Sequence, residues 1–229
     1  MFKRPHHQSI AIALLSLDAN LLQRHRCYFG GGTAIALLYG EYRESVDMDF
    51  MVSDAQSFSE LRVLARNNFR DFFSSNAEEL TEQSELRIDQ YGIRTRLRVG
   101  TLAIKFEIIR EGRIELEAPS AVDEICNVTT LTRLDMVTTK LLANSDRWPD
   151  VSVFSRDIID LAMIKPTTAL LRAAIAKAEL AYGKSVQQDL QKAIDRLKNN
   201  PDILDRCIEV LAIDIPKAQL WQNIRRLKI

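Results

Sequence analysis

Apolar residues along the first half of the chain recur with two different periods, which predict a mixture of helices and strands. Helical spacing with Leu14 and Leu21 on one side is followed by a short apolar run that ends in glycines. Alternating polar and apolar positions then mark a second strand. The elements predicted here are a helix over 7–26, a strand over 27–29, a helix over 34–39, a strand around 43–50 and a helix over 56–73.

The rest of the chain divides into a β-rich section and a helical section. The polar run 74–84 is expected to be a loop, and strands are expected over 86–91, 93–99, 102–109 and 114–116 with glycine turns between them. From about residue 131 the pattern is helical to the end, with helices over about 167–182, 185–198, 201–212 and 216–227. We therefore expect an α/β (α+β) domain over 1–130 and an α-helical bundle over 131–229.

Composition and charge narrow the class of protein. The 229 residues are 46% hydrophobic and 27% charged, and 31 basic side chains balance 31 acidic ones. This is the composition of a globular protein without a global basic field for nucleic acid, so any RNA contact must use a local patch. Three scattered cysteines give no zinc spacing, and no signal peptide or membrane span is evident, so a cytoplasmic location is expected.

The residues with the clearest chemistry lie between Phe29 and Phe50. Glycines 30–32 and Thr33 stand at the predicted start of a helix, where backbone N–H groups can converge on an anion. Asp47 and Asp49 alternate with apolar residues, so they share one face of a strand and offer the hard oxygen ligands that Mg²⁺ prefers. Either feature alone has a simpler explanation, as a tight turn or a solvated edge strand, but together they favour a site for a metal-bound phosphate.

This stretch resembles the signature of the nucleotidyltransferase superfamily, most closely the abortive-infection toxin branch found in type IV toxin–antitoxin systems. The matching residues are Gly31, Gly32, Thr33, Arg43, Ser45, Asp47, Asp49 and Phe50. The resemblance implies a nucleotidyltransferase-type mixed β-sheet flanked by helices, and a Mg²⁺-dependent transfer of NMP from an NTP to an acceptor hydroxyl.

The resemblance also implies roles for individual residues. One or two Mg²⁺ ions would be held by Asp47 and Asp49, and a third carboxylate is expected on a later strand, where Glu107 is the candidate. A second role explains Glu107 equally well: it would be a glutamate on the sheet surface, paired across strands with an arginine such as Arg96 or Arg98. Nucleotide phosphates would be bound by Gly31, Gly32, Thr33, Arg43, Ser45 and Lys140.

Two motifs of the helical half match the same toxin branch. Asp135 and Lys140 stand five residues apart, about 140° around a helix, so both cannot point into one site. We assign Lys140 to the nucleotide phosphate and Asp135 to a structural or orienting role. Asp157 is the expected catalytic carboxylate of the next helix, with Asp160 in reserve. Helix capping or a salt bridge explains either aspartate as well.

The expected partners follow from the same resemblance. The acceptor would be an RNA such as tRNA, or a protein, and a cognate antitoxin would accompany the enzyme. The most basic region, 87–113, offers an RNA-backbone contact, although a solvated sheet face explains it too. The alternatives are a small-molecule acceptor such as an antibiotic, and a non-catalytic relative that binds a nucleotide or a protein partner.

Overall fold

The fold is built around a mixed β-sheet and a set of helices that follows it. The computed structural model describes residues 2–74, 80–82 and 85–228. The contacts divide the chain into two units, one of residues 1–37 and 45–132 and the other of residues 38–44 and 133–229. Residues 38–44 therefore belong to the helical unit although they lie far from it in the sequence.

The first unit contains all the strands of the described chain and four helices. The helices are α1 (Pro5–Leu15), α2 (Ala19–Arg24), α3 (Gly31–Leu38) and α4 (Ala55–Asn68), and a 3-10 turn follows α4 at Phe69–Phe72. The strands are β1 (Tyr28–Gly30), β2 (Met48–Val52), β3 (Leu80–Glu82), β4 (Arg87–Ile88), β5 (Gly92–Val99), β6 (Leu102–Arg110), β7 (Glu124–Ile125) and β8 (Val128–Thr129).

The main sheet has the strand order β1-β2-β6-β5-β3, with β4 also paired to β5. Strands β2 and β6 are parallel, and the other pairs are antiparallel. Phe50 and Phe106 pack in a tilted arrangement with ring centroids 5.6 Å apart on the face that buries the core, where Leu14 and Leu61 also lie. Side chains alternate along a strand, so the residues next to these phenylalanines, Asp49 among them, face the other side of the sheet.

The second unit is helical. It comprises α5 (Arg133–Arg147), a 3-10 turn at Val151–Val153, α6 (Arg156–Ile164), α7 (Thr168–Tyr182), α8 (Ser185–Asn199), α9 (Pro201–Val210) and α10 (Lys217–Arg225). Helix α5 packs on α6, α7 and α8, and α10 packs on α6 and α9. Two backbone hydrogen bonds fix the segment 38–44 here, from the Glu44 N–H to the Leu211 carbonyl and from the Asp214 N–H to the Tyr42 carbonyl.

The predicted mixed sheet followed by a helical bundle is confirmed, and several element boundaries are corrected. The helix expected over 7–26 is two helices, because Asp18 caps α2 by accepting a hydrogen bond from the Leu21 N–H. The strand expected around 43–50 begins only at Met48. Residues 114–116 are not a strand. Within the run 74–84, residues 80–82 form β3 rather than a loop, while 75–79 and 83–84 lie outside the described residues.

Candidate active site

The carboxylate Asp49 lies where three features of the first unit meet. It is paired in register with Gly30 on one side and with Glu107 on the other. In neighbouring strands, residues in register point to the same face, so the Asp49 and Glu107 side chains lie next to each other. The structure therefore brings together two of the three predicted metal-binding carboxylates.

The glycine turn comes directly against Asp49. Gly31 has a φ of +69°, and a Cβ at this position would lie 2.5 Å from Oδ2 of Asp49. Only glycine combines this backbone conformation with so close an approach. The turn and the carboxylate consequently border the same small space at the start of α3.

Thr33 and Ser45 are linked at the same end of α3. Their hydroxyl groups lie 2.8 Å apart, and the Thr33 side chain is buried. The Ser45 N–H donates to Nε2 of the buried His7 at 3.3 Å. His7 is a residue that sequence reasoning did not select, and it holds the chain just before Asp47.

Asp47 lies one residue before β2 rather than within it, and it is partly exposed. Val46, an apolar position of the strand expected around 43–50, is 39% exposed. The predicted alternation therefore holds from Met48 onward, while Arg43 and Ser45 belong to the non-strand segment that leads into it.

Glu107 has two cationic partners. Its carboxylate accepts from Nε of Arg94 at 3.0 Å and from Nζ of Lys105 at 2.5 Å. The alternative role of Glu107 in a cross-strand pair is thus observed, with Arg94 as the partner in place of Arg96 or Arg98. A carboxylate has about four lone-pair sites, so these two contacts leave acceptor capacity on both oxygens.

The carboxylates at this site suit Mg²⁺ by their chemistry, but they do not form a complete set of metal ligands. Within 2–74, 80–82 and 85–228, no three His, Cys, Asp or Glu side chains are grouped closely enough to hold a metal ion. Mg²⁺ is commonly bound by one or two carboxylates, with waters and substrate phosphates completing its shell. Asp49 and the neighbouring Glu107 supply this number of carboxylates, and Asp47 stays a predicted ligand beside them.

In the second unit, the predicted residues lie in a buried network of charges. Lys140 on α5 contacts Asp157 at 3.0 Å and Asp160 at 2.6 Å, both on α6. Arg147 donates to both oxygens of Asp157, at 2.7 and 2.9 Å. The seven-residue spacing of Lys140 and Arg147 puts them on one face of α5, a signal that the sequence offered and that could have identified Arg147.

Arg43 and Tyr42 complete this network from the segment 38–44. Arg43 donates to the two oxygens of Asp160 at 2.7 and 2.9 Å, and the Tyr42 hydroxyl donates to Oδ1 at 2.5 Å. The Arg43 side chain is only 4% exposed. This geometry favours a structural role for Arg43, which the resemblance assigns to the nucleotide.

The charges of the network set the titration of its carboxylates. Burial alone would raise the pKa of Asp157, but Lys140 and Arg147 outweigh it and hold that pKa well below its usual range. Burial likewise opposes ionisation of Asp160, and Arg43 with Lys140 lowers its pKa in the same way. Both aspartates are therefore ionised at neutral pH. Asp135 is separate from them and pairs with Lys177 at 2.5 Å, which agrees with its assignment as a structural residue.

Comparison with known proteins identifies the family. A profile of the AbiEii nucleotidyl transferase toxins of type IV toxin–antitoxin systems matches residues 13–226. The chain belongs to this family. It is thus a nucleotidyltransferase of the toxin type, as the motif around Asp47 and Asp49 predicted. A search of curated proteins gives no match.

Solved structures show the same fold at low sequence identity. JHP933 from Helicobacter pylori is 14% identical with a TM-score of 0.53, and the match covers 96% of this chain and 91% of that one. MenT4, a nucleotidyltransferase toxin from Mycobacterium tuberculosis, is 15% identical with a TM-score of 0.51, covering 98% and 85%. None of the helices in the described ranges has the length and apolar character needed to cross a membrane.

Proposed function

We propose that this nucleotidyltransferase toxin uses Mg²⁺ to transfer NMP from an NTP to a hydroxyl group of an RNA or protein acceptor. The observation that carries the proposal is the position of Asp49, in register with Glu107 and against the Gly31 turn. Hard anionic ligands and a set of backbone donors thereby border one space, as a metal-bound triphosphate requires.

Different residues of the first unit would bind the phosphates and the metal ion. Backbone N–H groups of Gly31 and Gly32 with the Thr33 and Ser45 hydroxyls would bind the phosphates, at the positive end of α3. Asp47 and Asp49, joined by Glu107, would hold Mg²⁺. When bound, Mg²⁺ would neutralise charge on the triphosphate and on the departing pyrophosphate.

The reaction forms one bond and breaks one. The acceptor oxygen bonds to the α-phosphorus as its proton passes to solvent, and the bond from that phosphorus to pyrophosphate breaks. A triphosphate bound at the glycine turn through its β and γ phosphates would be held in place while its α-phosphorus stayed open to attack.

Lys140 and Asp157 remain proposed participants from the second unit. An ammonium group has three N–H donors, and the two carboxylate contacts of Lys140 leave one for a phosphate oxygen. Asp157 would then orient Lys140 rather than bind metal. A cognate antitoxin is the proposed partner, as membership of a type IV toxin–antitoxin family implies.

The test is transfer from each α-phosphate-radiolabelled NTP to total RNA, total protein or a small-molecule mixture, with Mg²⁺ and after its removal by EDTA. We expect Asp49→Asn to lower transfer roughly 100-fold or more, the scale of losing one transition-state-stabilising group. Asp71→Asn, an exposed substitution of the same charge on the 3-10 turn, is the control. Wild-type rates in Asp49→Asn would contradict the proposal, and binding of NTP without transfer to any acceptor would indicate a non-catalytic relative.

A further inference from the structure

A cleft in the second unit combines an aromatic ring with cationic side chains. It has a volume of about 500 Å³ and is lined by residues of α8, α9 and α10. Lys217, Trp221 and Arg225 stand four residues apart on α10, so they share one face of this helix. Lys198 of α8 and Lys228, which follows α10, also line the cleft. We call it the Trp221 cleft, and four cationic side chains line it together with one indole ring.

Carboxylates offset only part of this positive charge. Lys217 contacts Asp205 at 2.6 Å, and Lys228 lies 4.0 Å from Asp195. Across residues 2–74, 80–82 and 85–228, the other two cations of the cleft have no carboxylate partner, and both are exposed. No described residue that lines the cleft is acidic. The cleft therefore presents two cationic groups to an anionic ligand.

The remaining lining of the Trp221 cleft is apolar. Leu197 and Leu204 are buried there, whereas Trp221 is half-buried and keeps part of its ring accessible. An accessible indole beside aliphatic side chains is a surface on which a planar aromatic group stacks. Arginine binds phosphate in a planar, two-pronged geometry. A ligand that uses both features carries an aromatic ring and more than one negative charge.

We propose that the Trp221 cleft binds a nucleoside di- or triphosphate, with the base against Trp221 and the phosphates at Lys198 and Arg225. Its volume lies within the range of roughly 300–1,000 Å³ that is usual for small-molecule sites. The cleft is built from residues of the second unit, whereas Asp49 and Gly31 belong to the first. The inference therefore adds a nucleotide site to the one proposed for catalysis and does not depend on it.

The composition of the cleft favours a single nucleotide over a macromolecule. Proteins that bind single-stranded nucleic acid stack successive bases on several aromatic side chains, and the described lining of this cleft contains one. A protein partner would need several accessible apolar anchor sites, but the leucines of the cleft are buried. Inorganic polyphosphate would use the cations and leave the indole without a role.

The experiment is a fluorescence titration with ADP in the presence of EDTA, which removes the Mg²⁺ proposed for the active site. The chain has two tryptophans, so Trp148→Phe makes Trp221 the only fluorescent indole. In this background the test variant is Arg225→Gln. The control is Arg226→Gln, which removes the same charge from the next residue, exposed and outside the cleft lining. We expect ADP to quench Trp221, with affinity about tenfold lower in the test variant and close to the starting value in the control.

Competing ligands separate the two features of the site. Adenosine carries the base without phosphates, and pyrophosphate carries the phosphates without a base. We expect each to displace ADP only at concentrations about tenfold higher or more, because each makes one of the two kinds of contact. Pyrophosphate that competes as well as ADP would overturn the inference, as would tighter binding of oligouridylate or polyglutamate, which would assign the cleft to a macromolecule.

Two further measurements decide the assignment. Equal ADP affinity in Arg225→Gln and Arg226→Gln would overturn it. So would Trp221→Leu with unchanged circular dichroism and wild-type ADP affinity in equilibrium dialysis, where we expect a loss of about tenfold. Calorimetry with and without Mg²⁺ measures the additional, Mg²⁺-dependent binding of NTP. We expect Arg225→Gln to retain that binding, and its loss would assign Arg225 to the active-site nucleotide and overturn the second site.

Discussion

Gly31 has no side chain, and both its backbone conformation and its close approach to Asp49 require this. Replacing it with alanine forces an L-residue to a φ of +69° and places a methyl group 2.5 Å from Oδ2 of Asp49. We expect Gly31→Ala to displace that carboxylate and to lower nucleotide transfer roughly 100-fold, the effect of a misplacement of about 1 Å. Transfer rates and NTP calorimetry measure this.

Gly100 provides a matched control in the same unit. It has a φ of +57° in the turn between β5 and β6, but a Cβ there would have no atom within 4 Å beyond its chain neighbours. Gly100→Ala should therefore lose only about 1 kcal/mol of unfolding free energy from backbone strain and keep its transfer rate. Equal transfer rates in the two variants would show that contact with Asp49 is not what requires glycine at position 31.

At the residue scale, the sequence yields candidate carboxylates but not the side chains that they contact. Asp47 and Asp49 are two positions apart in the chain and alternate with apolar residues, so a local pattern identifies them. The pair of Arg43 and Asp160 joins residues 117 positions apart. No periodicity connects such distant positions, and Arg43 was consequently assigned to the nucleotide.

At the scale of elements, helix α6 depends on the charges that surround its two buried aspartates. Asp160 is fully buried and has three partners, Tyr42, Arg43 and Lys140. Asp160→Asn would leave the buried Arg43 without its anionic partner and Lys140 with Asp157 as its remaining carboxylate contact. We expect a loss of about 3–5 kcal/mol in the free energy of unfolding, measured by urea denaturation.

An exposed ion pair provides the comparison for Asp160→Asn. Asp205 contacts Lys217 at 2.6 Å, and both side chains are about half exposed. Asp205→Asn should cost less than about 1 kcal/mol, because solvent screens the pair. Similar losses in the two variants would mean that the α6 network contributes no more than a surface contact.

The ends of helices and strands could be predicted where local residues mark them. The predictions were wrong where pairing between distant strands determines whether a segment is a strand. Pro201 and Gly183 punctuate the helical half, and helices α7 to α10 begin and end within two residues of the predicted positions. Strand β3 pairs with β5 although residues 80–82 lie in a polar run, because the sheet edge supplies the hydrogen bonds. Conversely, 114–116 is apolar enough for a strand but is not paired with one.

For the whole molecule, acid should lower the free energy of unfolding by protonating the carboxylates whose pKa is lowered in the folded state. In the unfolded chain Asp157 and Asp160 would titrate near pH 3.9, whereas their folded pKa values are lowered. The unfolded state then binds more protons, so stability is fully present above about pH 4 and falls as the pH drops through the folded values. Urea unfolding at a series of pH values measures this slope.

The Asp160→Asn variant tests the source of that pH dependence. It lacks one of the two buried carboxylates, so its stability should fall less steeply than that of the wild type below about pH 4. Parallel slopes for the two proteins would place the acid sensitivity elsewhere, for example at the helix-capping aspartates Asp54 and Asp150, whose pKa values are also lowered.

The position of residues 38–44 in the helical unit has a consequence for synthesis on the ribosome. Tyr42 and Arg43 leave the exit tunnel long before Asp160, Leu211 and Asp214 have been added to the chain. At ordinary rates of translation this delay is on the order of ten seconds. The arginine and the tyrosine remain hydrated for that period, and the helical unit gains its last partners only when nearly the whole polypeptide has been made.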